Sequence, residues 1–191
     1  MKIHLQTPEE IRPQIWKELG RASLDRHHEW RTPVLASAGA DGVPDARTVV
    51  LRQVDAVAGQ LTFYTDSRSP KVAQLQAQSS ALLVFWSARL SWQLRVRVAC
   101  TVVTAGPEVE ALWQSIKQSA AAGDYLSPRP PGAVLPPDRG MAGAADTKAS
   151  EPTHNLALLR GQVLQMDWLE LSRDGHRRAQ LSANTWDWLT P

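Results

Sequence analysis

From Gln93 to Val103 the chain alternates, with Leu94, Val96 and Val98 on one side and Gln93, Arg95 and Arg97 on the other. A period of two belongs to a β-strand, and one apolar face opposite one polar face fits the wall of a barrel. Neighbouring segments supply partners for such a wall. The run Ala81–Trp86 is almost continuously apolar and reads as a strand covered on both faces. Val34–Ala38 reads as a short strand that turns at Gly39-Ala40-Asp41-Gly42 and returns through Pro44, which makes a hairpin. Asn155–Leu171 supplies further strands, and Arg173-Asp174-Gly175 is a turn leading back into His176–Leu181.

Helices flank these strands. Thr7-Pro8-Glu9-Glu10 has the form of a capping box, and Ile15, Trp16, Leu19 and Leu24 follow at roughly helical spacing, so a helix is expected over about 8–28. Glu108–Gln118 repeats the pattern with Val109, Leu112, Trp113 and Ile116. The segment 119–153, rich in Ala, Gly and Pro, is expected to hold no regular element. The expectation is a mainly β fold with flanking helices, α+β in class, as a single domain over residues 1–191.

Composition narrows the function classes. In 191 residues, 43% hydrophobic and 21% charged, the net charge is only +2, which lacks the dense basic stripe of a nucleic-acid binder. The lone cysteine, Cys100, excludes an intramolecular disulfide and fits a reducing cytoplasm. No apolar run approaches membrane-spanning length. His27 and His28 are adjacent, so on a helix they point about 100° apart, and no metal site is expected.

Chemistry concentrates between Arg47 and Lys71. A strand carrying Arg47 and Arg52, a second strand Leu61–Tyr64 and the loop Thr65–Ser69 bring two guanidinium groups, Lys71 and several hydroxyls towards a helix start at Pro70. A phosphate dianion needs donors of this kind held convergently. Arg47 and Arg52 are an odd number of residues apart, so an undistorted strand would put them on opposite faces.

These residues resemble the flavin-binding core of the pyridoxamine 5'-phosphate oxidase-like family. The resemblance rests on the Arg47–Arg52 strand, on Phe63-Tyr64-Thr65, on Ser69-Pro70-Lys71 and on Gln93-Leu94-Arg95-Val96. Towards the C-terminus Trp168, His176 and Arg178 fall on further positions of the pattern. The resemblance implies a homodimeric split β-barrel with FMN between subunits and a small-molecule substrate. It implies that Arg47, Lys71, Ser69 and Thr65 hold the phosphate and that Val49, Val50 and Leu51 lie against the ring. It puts Tyr64, Gln93, Trp168 and Arg178 among the cofactor contacts, Arg52 both at the flavin edge and on the substrate side, Tyr125 and His176 on the substrate side, and Tyr125–Gly132 as a lid. No catalytic residue is assigned.

The sequence departs from the family at two places. Pro70 replaces a basic phosphate ligand, with Arg68 available next door, and Asp174 stands where an arginine would bind a phosphorylated substrate. The expected function is a cytoplasmic FMN-dependent oxidoreductase that binds neither nucleic acid nor membrane. The alternative is a protein of the same fold that holds a flavin, tetrapyrrole or deazaflavin without that turnover. A nucleic-acid-binding barrel using Arg95, Arg97, Arg177 and Arg178 stands as a third class.

Overall fold

In the computed structural model, which describes residues 7–135, 154–182 and 185–191, the stretch expected as one strand from Arg47 to Arg52 is two. Strand β2 (Pro44–Thr48) pairs antiparallel with β1 (Val34–Ala38), and β3 (Leu51–Asp55) pairs antiparallel with β4 (Gln60–Asp66). Only Val49 and Val50 separate β2 from β3, yet these strands stand at opposite ends of the main sheet path, which runs from β2 and β1 through β5 (Ser80–Ser87), β6 (Trp92–Val103) and β7 (Leu156–Glu170) to β4 and β3. Two ends joined by two residues must lie close in space, so the sheet curls round on itself. The closure is covalent, with no ladder between β2 and β3. This is an open antiparallel sheet consistent with a split barrel.

The wall is built from β5 (Ser80–Ser87), β6 (Trp92–Val103) and β7 (Leu156–Glu170). On β6, Trp92, Leu94, Val96 and Val98 point into the core, while Gln93, Arg95 and Arg97 face out. On β5 the expectation of a strand covered on both faces is corrected. Ala81, Leu83 and Phe85 are buried, but Leu82 and Val84 are only partly covered, and Trp86 is 48% exposed. In a sheet one atom layer thick, the core takes one face and the other is left to whatever lies outside. Strand β8 (Arg177–Ser182) pairs with β7, and β9 (Trp186–Leu189) pairs with β8.

Helix α1 (Pro8–Leu24) buries Ile11, Ile15, Leu19 and Ala22 in the main core beside Trp30 and Leu51. It stops four residues short of the expected end. Asp25 caps it in an extended conformation, and its carboxylate accepts from the His27 N–H at 2.9 Å. His28 then turns inward: its Nδ1 accepts the Trp30 N–H at 3.1 Å, and its Nε2 lies 2.9 Å from Glu18. With Nδ1 an acceptor, Nε2 carries the proton and donates it to the carboxylate. Glu18 also pairs with Arg89 at 2.7 Å and Arg21 at 3.2 Å, which ties α1 to the β5–β6 turn.

Helix α2 (Pro70–Ala77) buries Val72 and Leu75, and α3 (Pro107–Ile116) buries Val109 and Trp113. The absence of regular structure expected after residue 119 is corrected over its first part, because Ala120–Tyr125 forms a 3-10 turn. Ala122 and Tyr125 from that turn join Val109, Trp113, Leu156 and Leu158 in a second apolar cluster, and this burial orders the backbone. Residues 136–153 of the expected loop lie outside the described residues. Among the described residues, no helix is long and apolar enough to cross a membrane.

Candidate functional site

Where β2 gives way to β3, the backbone of Thr48, Val49 and Val50 borders a cavity of about 260 Å³. Arg52, Phe63, Tyr64, Thr65, Asp66, Lys71, Asp124, Tyr125, Pro131 and Leu159 complete its wall. The odd spacing of Arg47 and Arg52 is resolved by the strand break and by a bulge. The β3–β4 register shifts between Leu51 and Gln53, which leaves Arg52 as the extra residue. A bulge re-aims one side chain without disturbing the rest of the strand. Arg52 lies over the Tyr64 ring, 5.4 Å from its centroid, and its buried Nε has no hydrogen-bond partner among the described residues. A buried guanidinium N–H left open at a cavity wall is the donor a ligand would satisfy.

The Lys71 ammonium donates to Thr65 Oγ1 at 3.0 Å and Ser69 Oγ at 2.7 Å. Ser69 precedes Pro70, the first residue of α2, and its hydroxyl makes no cap to the helix. It is turned to Lys71 instead. Burial and then the nearby charge of Arg47 lower the Lys71 pKa, with Asp66 and Asp45 opposing them. Arg47 and Lys71 therefore share one region of positive potential, which an anion would relieve.

Arg47 itself is held from several sides. It donates to Ser37 Oγ at 2.6 Å, to Gln74 Oε1 at 3.0 Å and to the Leu35 carbonyl at 3.4 Å, and it pairs with Asp45. Gln74 donates in turn to Asp45 at 2.9 Å. Arg47 is not among the residues that line the cavity.

The remaining expected residues divide. Tyr64, Thr65, Val49, Val50, Arg52 and Tyr125 border the same cavity as Lys71. Leu51 is fully buried in the core, so only its backbone is available. Trp168 is likewise fully buried, 5.3 Å from the Trp92 ring centroid, because its position on β7 faces inward. The expected contact of its side chain with a cofactor is corrected to a core role within this protomer. Gln93 lies on the opposite face of the wall from Trp168.

Arg178 holds Asp167 with two bonds of 2.9 and 2.7 Å and lines a separate groove of about 600 Å³ with Arg95 and Arg97. His176 is exposed in the β7–β8 turn, where Nδ1 accepts the Ser172 N–H at 3.2 Å. Asp174 is exposed in the same turn and lines neither the cavity nor the groove. Arg68, considered a substitute phosphate ligand, is engaged by Asp66 at 3.0 and 2.7 Å.

Sequence reasoning did not single out Asp66 or Asp124 as cavity residues, whereas Pro131 falls inside the expected Tyr125–Gly132 lid. The signal for Asp66 was its position directly after Thr65 and two before Arg68. Asp124 and Pro131 lie in a segment without periodicity, where only the fold brings them to the site.

Residues 13–104 match the family described as pyridoxamine 5'-phosphate oxidase, FMN-binding domain. The pyridoxine/pyridoxamine 5'-phosphate oxidase of Thermosynechococcus vestitus is 41% identical over 81 residues, 42% of this chain and 37% of that protein. The enzyme of the same description from Maricaulis maris is 40% identical over 93 residues, 49% of this chain and 40% of that protein. The chain thus spans less than half the length of these curated relatives. Among solved structures, a pyridoxamine 5'-phosphate oxidase-related, FMN-binding protein from Nostoc punctiforme superposes with a TM-score of 0.70 at 23% identity, covering 98% of this chain and 100% of that one. PhzG from Burkholderia lata, in complex with tetrahydrophenazine-1-carboxylic acid, does so with a TM-score of 0.70 at 18% identity over 100% of both chains. These two likenesses establish the fold.

Proposed function

The chain belongs, through residues 13–104, to the pyridoxamine 5'-phosphate oxidase-like family, and from that premise we propose that it is an FMN-dependent oxidoreductase acting on a small organic substrate. The observation that carries the reading is the convergence at one cavity of Lys71, its hydroxyl partner Thr65 and Arg52 with its open Nε, while Ser69 meets Lys71 from outside the cavity lining. These residues fit the group. Lys71, Thr65 and Ser69 would hold the phosphate, with the nearby charge of Arg47 adding to the positive potential at Lys71. The backbone at Val49, Val50 and Leu51 borders the ring. When bound, FMN supplies the capacity to take a hydride from the substrate. Arg52 places a fixed positive charge at the cavity wall, where negative charge builds up during reduction. Tyr125, which lines the same cavity and interacts with the Arg52 side chain, is assigned to the substrate side.

The active unit is a homodimer. A cavity of about 260 Å³ is smaller than the roughly 300–1,000 Å³ typical of ligand sites, so one protomer supplies part of a pocket. The outer face of β1 and β5, with Val34 37% and Trp86 48% exposed, is apolar enough to pair with a second copy. Gln93, His176 and Arg178, which lie away from the protomer's own cavity, reach the shared pocket from the other copy.

A visible spectrum of the native protein, with mass identification of the released chromophore, tests the cofactor. Flavin bands and the mass of FMN are expected; a colourless protein that takes up no added FMN would refute the reading. Catalysis is tested by anaerobic reduction of the bound flavin with candidate amines. Asp174 leads us to expect no reduction by pyridoxamine phosphate above the free-flavin background.

A further inference from the structure

Tyr125 and Pro131 both border the cavity, and five residues link them. What holds that span is the loop after β4. The Arg68 guanidinium, fixed by two bonds to the buried Asp66 carboxylate, donates to the Ser127 carbonyl at 2.9 Å and the Arg129 carbonyl at 3.4 Å. Asp66 also accepts the Arg68 backbone N–H at 2.8 Å. One residue earlier, the Ser67 N–H donates to the Asn155 carbonyl at 2.7 Å, and the Asn155 N–H donates to the Tyr125 carbonyl at 2.8 Å. The same five residues, Thr65–Ser69, thus contribute the hydroxyls that meet Lys71 and the bonds that grip Tyr125–Pro131.

We propose that Arg68 is a positioning residue: through the Ser127 and Arg129 carbonyls it holds Tyr125–Pro131 as a preformed wall over the cavity. It does not act as a phosphate ligand. The inference rests on the reading of the cavity as a flavin site, but the bonds that carry it exist without flavin. Arg68 suits the task because its planar fork takes a carboxylate on one edge and leaves donors for carbonyls. Lysine, a point charge, cannot do both. Without Arg68 the Ser127 carbonyl would be left to water and the Arg129 carbonyl would keep only the Ser127 hydroxyl at 3.0 Å, so the segment would open more often.

The test is hydrogen–deuterium exchange on the full chain, followed on peptides covering residues 126–135, for the wild type, Arg68→Ala and Arg68→Lys. Exchange there is expected to rise about ten-fold or more in both variants, as for loss of charge-assisted bonds, with β6 and β7 unchanged. Titrations with FMN and riboflavin by flavin fluorescence supply the second readout. The ratio of the two affinities is expected to stay at its wild-type value in Arg68→Ala, while iodide quenching of the bound flavin increases as the wall loosens. Unchanged exchange over 126–135 would overturn the proposal. So would a loss of FMN affinity that spares riboflavin, because that is the signature of a phosphate ligand. If Arg68→Ala does not fold, Asp66→Asn frees the guanidinium from its anchor and must raise the same exchange. If the wild type takes up no flavin, the proposed function fails, and exchange in the flavin-free chain still decides the role of Arg68.

Discussion

Replacing Lys71 by methionine keeps the length of the side chain and removes its charge, which separates the two jobs the residue does. In the flavin-free protein the pKa of Lys71 is lowered, chiefly by burial and then by Arg47. A lysine whose folded pKa lies below its unfolded value binds protons more weakly in the native state. At neutral pH its charge therefore opposes folding, and this penalty disappears only as the pH rises through the folded pKa. Lys71→Met removes that opposition but also removes the donations to Thr65 and Ser69, together about 1–3 kcal/mol at the usual net value of each bond.

The two effects have opposite signs, so the flavin-free melting temperature should move by no more than about 4 °C, the equivalent of roughly 1 kcal/mol in a chain of this size. Cofactor binding should respond differently. A charge-assisted bond to phosphate contributes about 1.5–3 kcal/mol, which is roughly a 10- to 150-fold weaker Kd for FMN in Lys71→Met. Riboflavin lacks the phosphate, so its Kd should be unchanged. Fluorescence titration of both ligands against both proteins is the assay. Equal losses for FMN and riboflavin, or none for FMN, would refute the assignment of Lys71 to the anion.

Three further outcomes follow from the geometry. Burial raises the Cys100 thiol from an ordinary 9.0 to about 11, so at pH 8 its labelling by a disulfide reagent should be roughly 100-fold slower in the native protein than after unfolding. Burial pushes the Glu18 carboxyl up, but the His28 bond and the charges of Arg89 and Arg21 outweigh it and hold the pKa below 4.5. The resulting stability is present above that value and lost as the pH falls through the folded pKa. Glu18→Gln should flatten this acid limb in pH-dependent melting and cost about 2–3 kcal/mol at pH 7, less than for a wholly buried pair because Arg21 and Arg89 are half-exposed. Trp86→Glu should convert a dimer to a monomer by sedimentation velocity, whereas an unchanged species would remove the β1–β5 face from the interface.

The alternation along β6 was readable because side-chain direction in a strand follows sequence parity, and Leu94, Val96 and Val98 obey it. The same parity rule posed the puzzle of Arg47 and Arg52 but could not solve it. Its solution is the break at Val49-Val50 and the bulge at Arg52, and both depend on where β1 and β4 lie. Trp168 misled because its spacing from His176 and Arg178 says nothing of which face it takes; the pairing with Leu94 and Ala179 turns it inward. Pro131 falls in the expected Tyr125–Gly132 lid, but a proline-rich segment has no period to say which of its residues meets the cavity. Its place at the cavity depends on Arg68, a residue whose expected role was quite different.

The cavity thus has two kinds of wall. The β2–β3 junction is rigid, since Val49 and Val50 are tethered between strands at opposite ends of a closed path and the Val49 N–H is bonded to the Pro33 carbonyl at 3.0 Å. Tyr125–Pro131 belongs to no ladder and is held through Asn155 and Arg68 alone among the bonds just described. A cofactor needs the first kind, because its phosphate and ring must be fixed before chemistry. A substrate that enters and leaves needs the second. On the proposed function, the flavin would lie against the β2–β4 side and the exchanging molecule against the Tyr125 side, with the bulged Arg52 among the residues lining both.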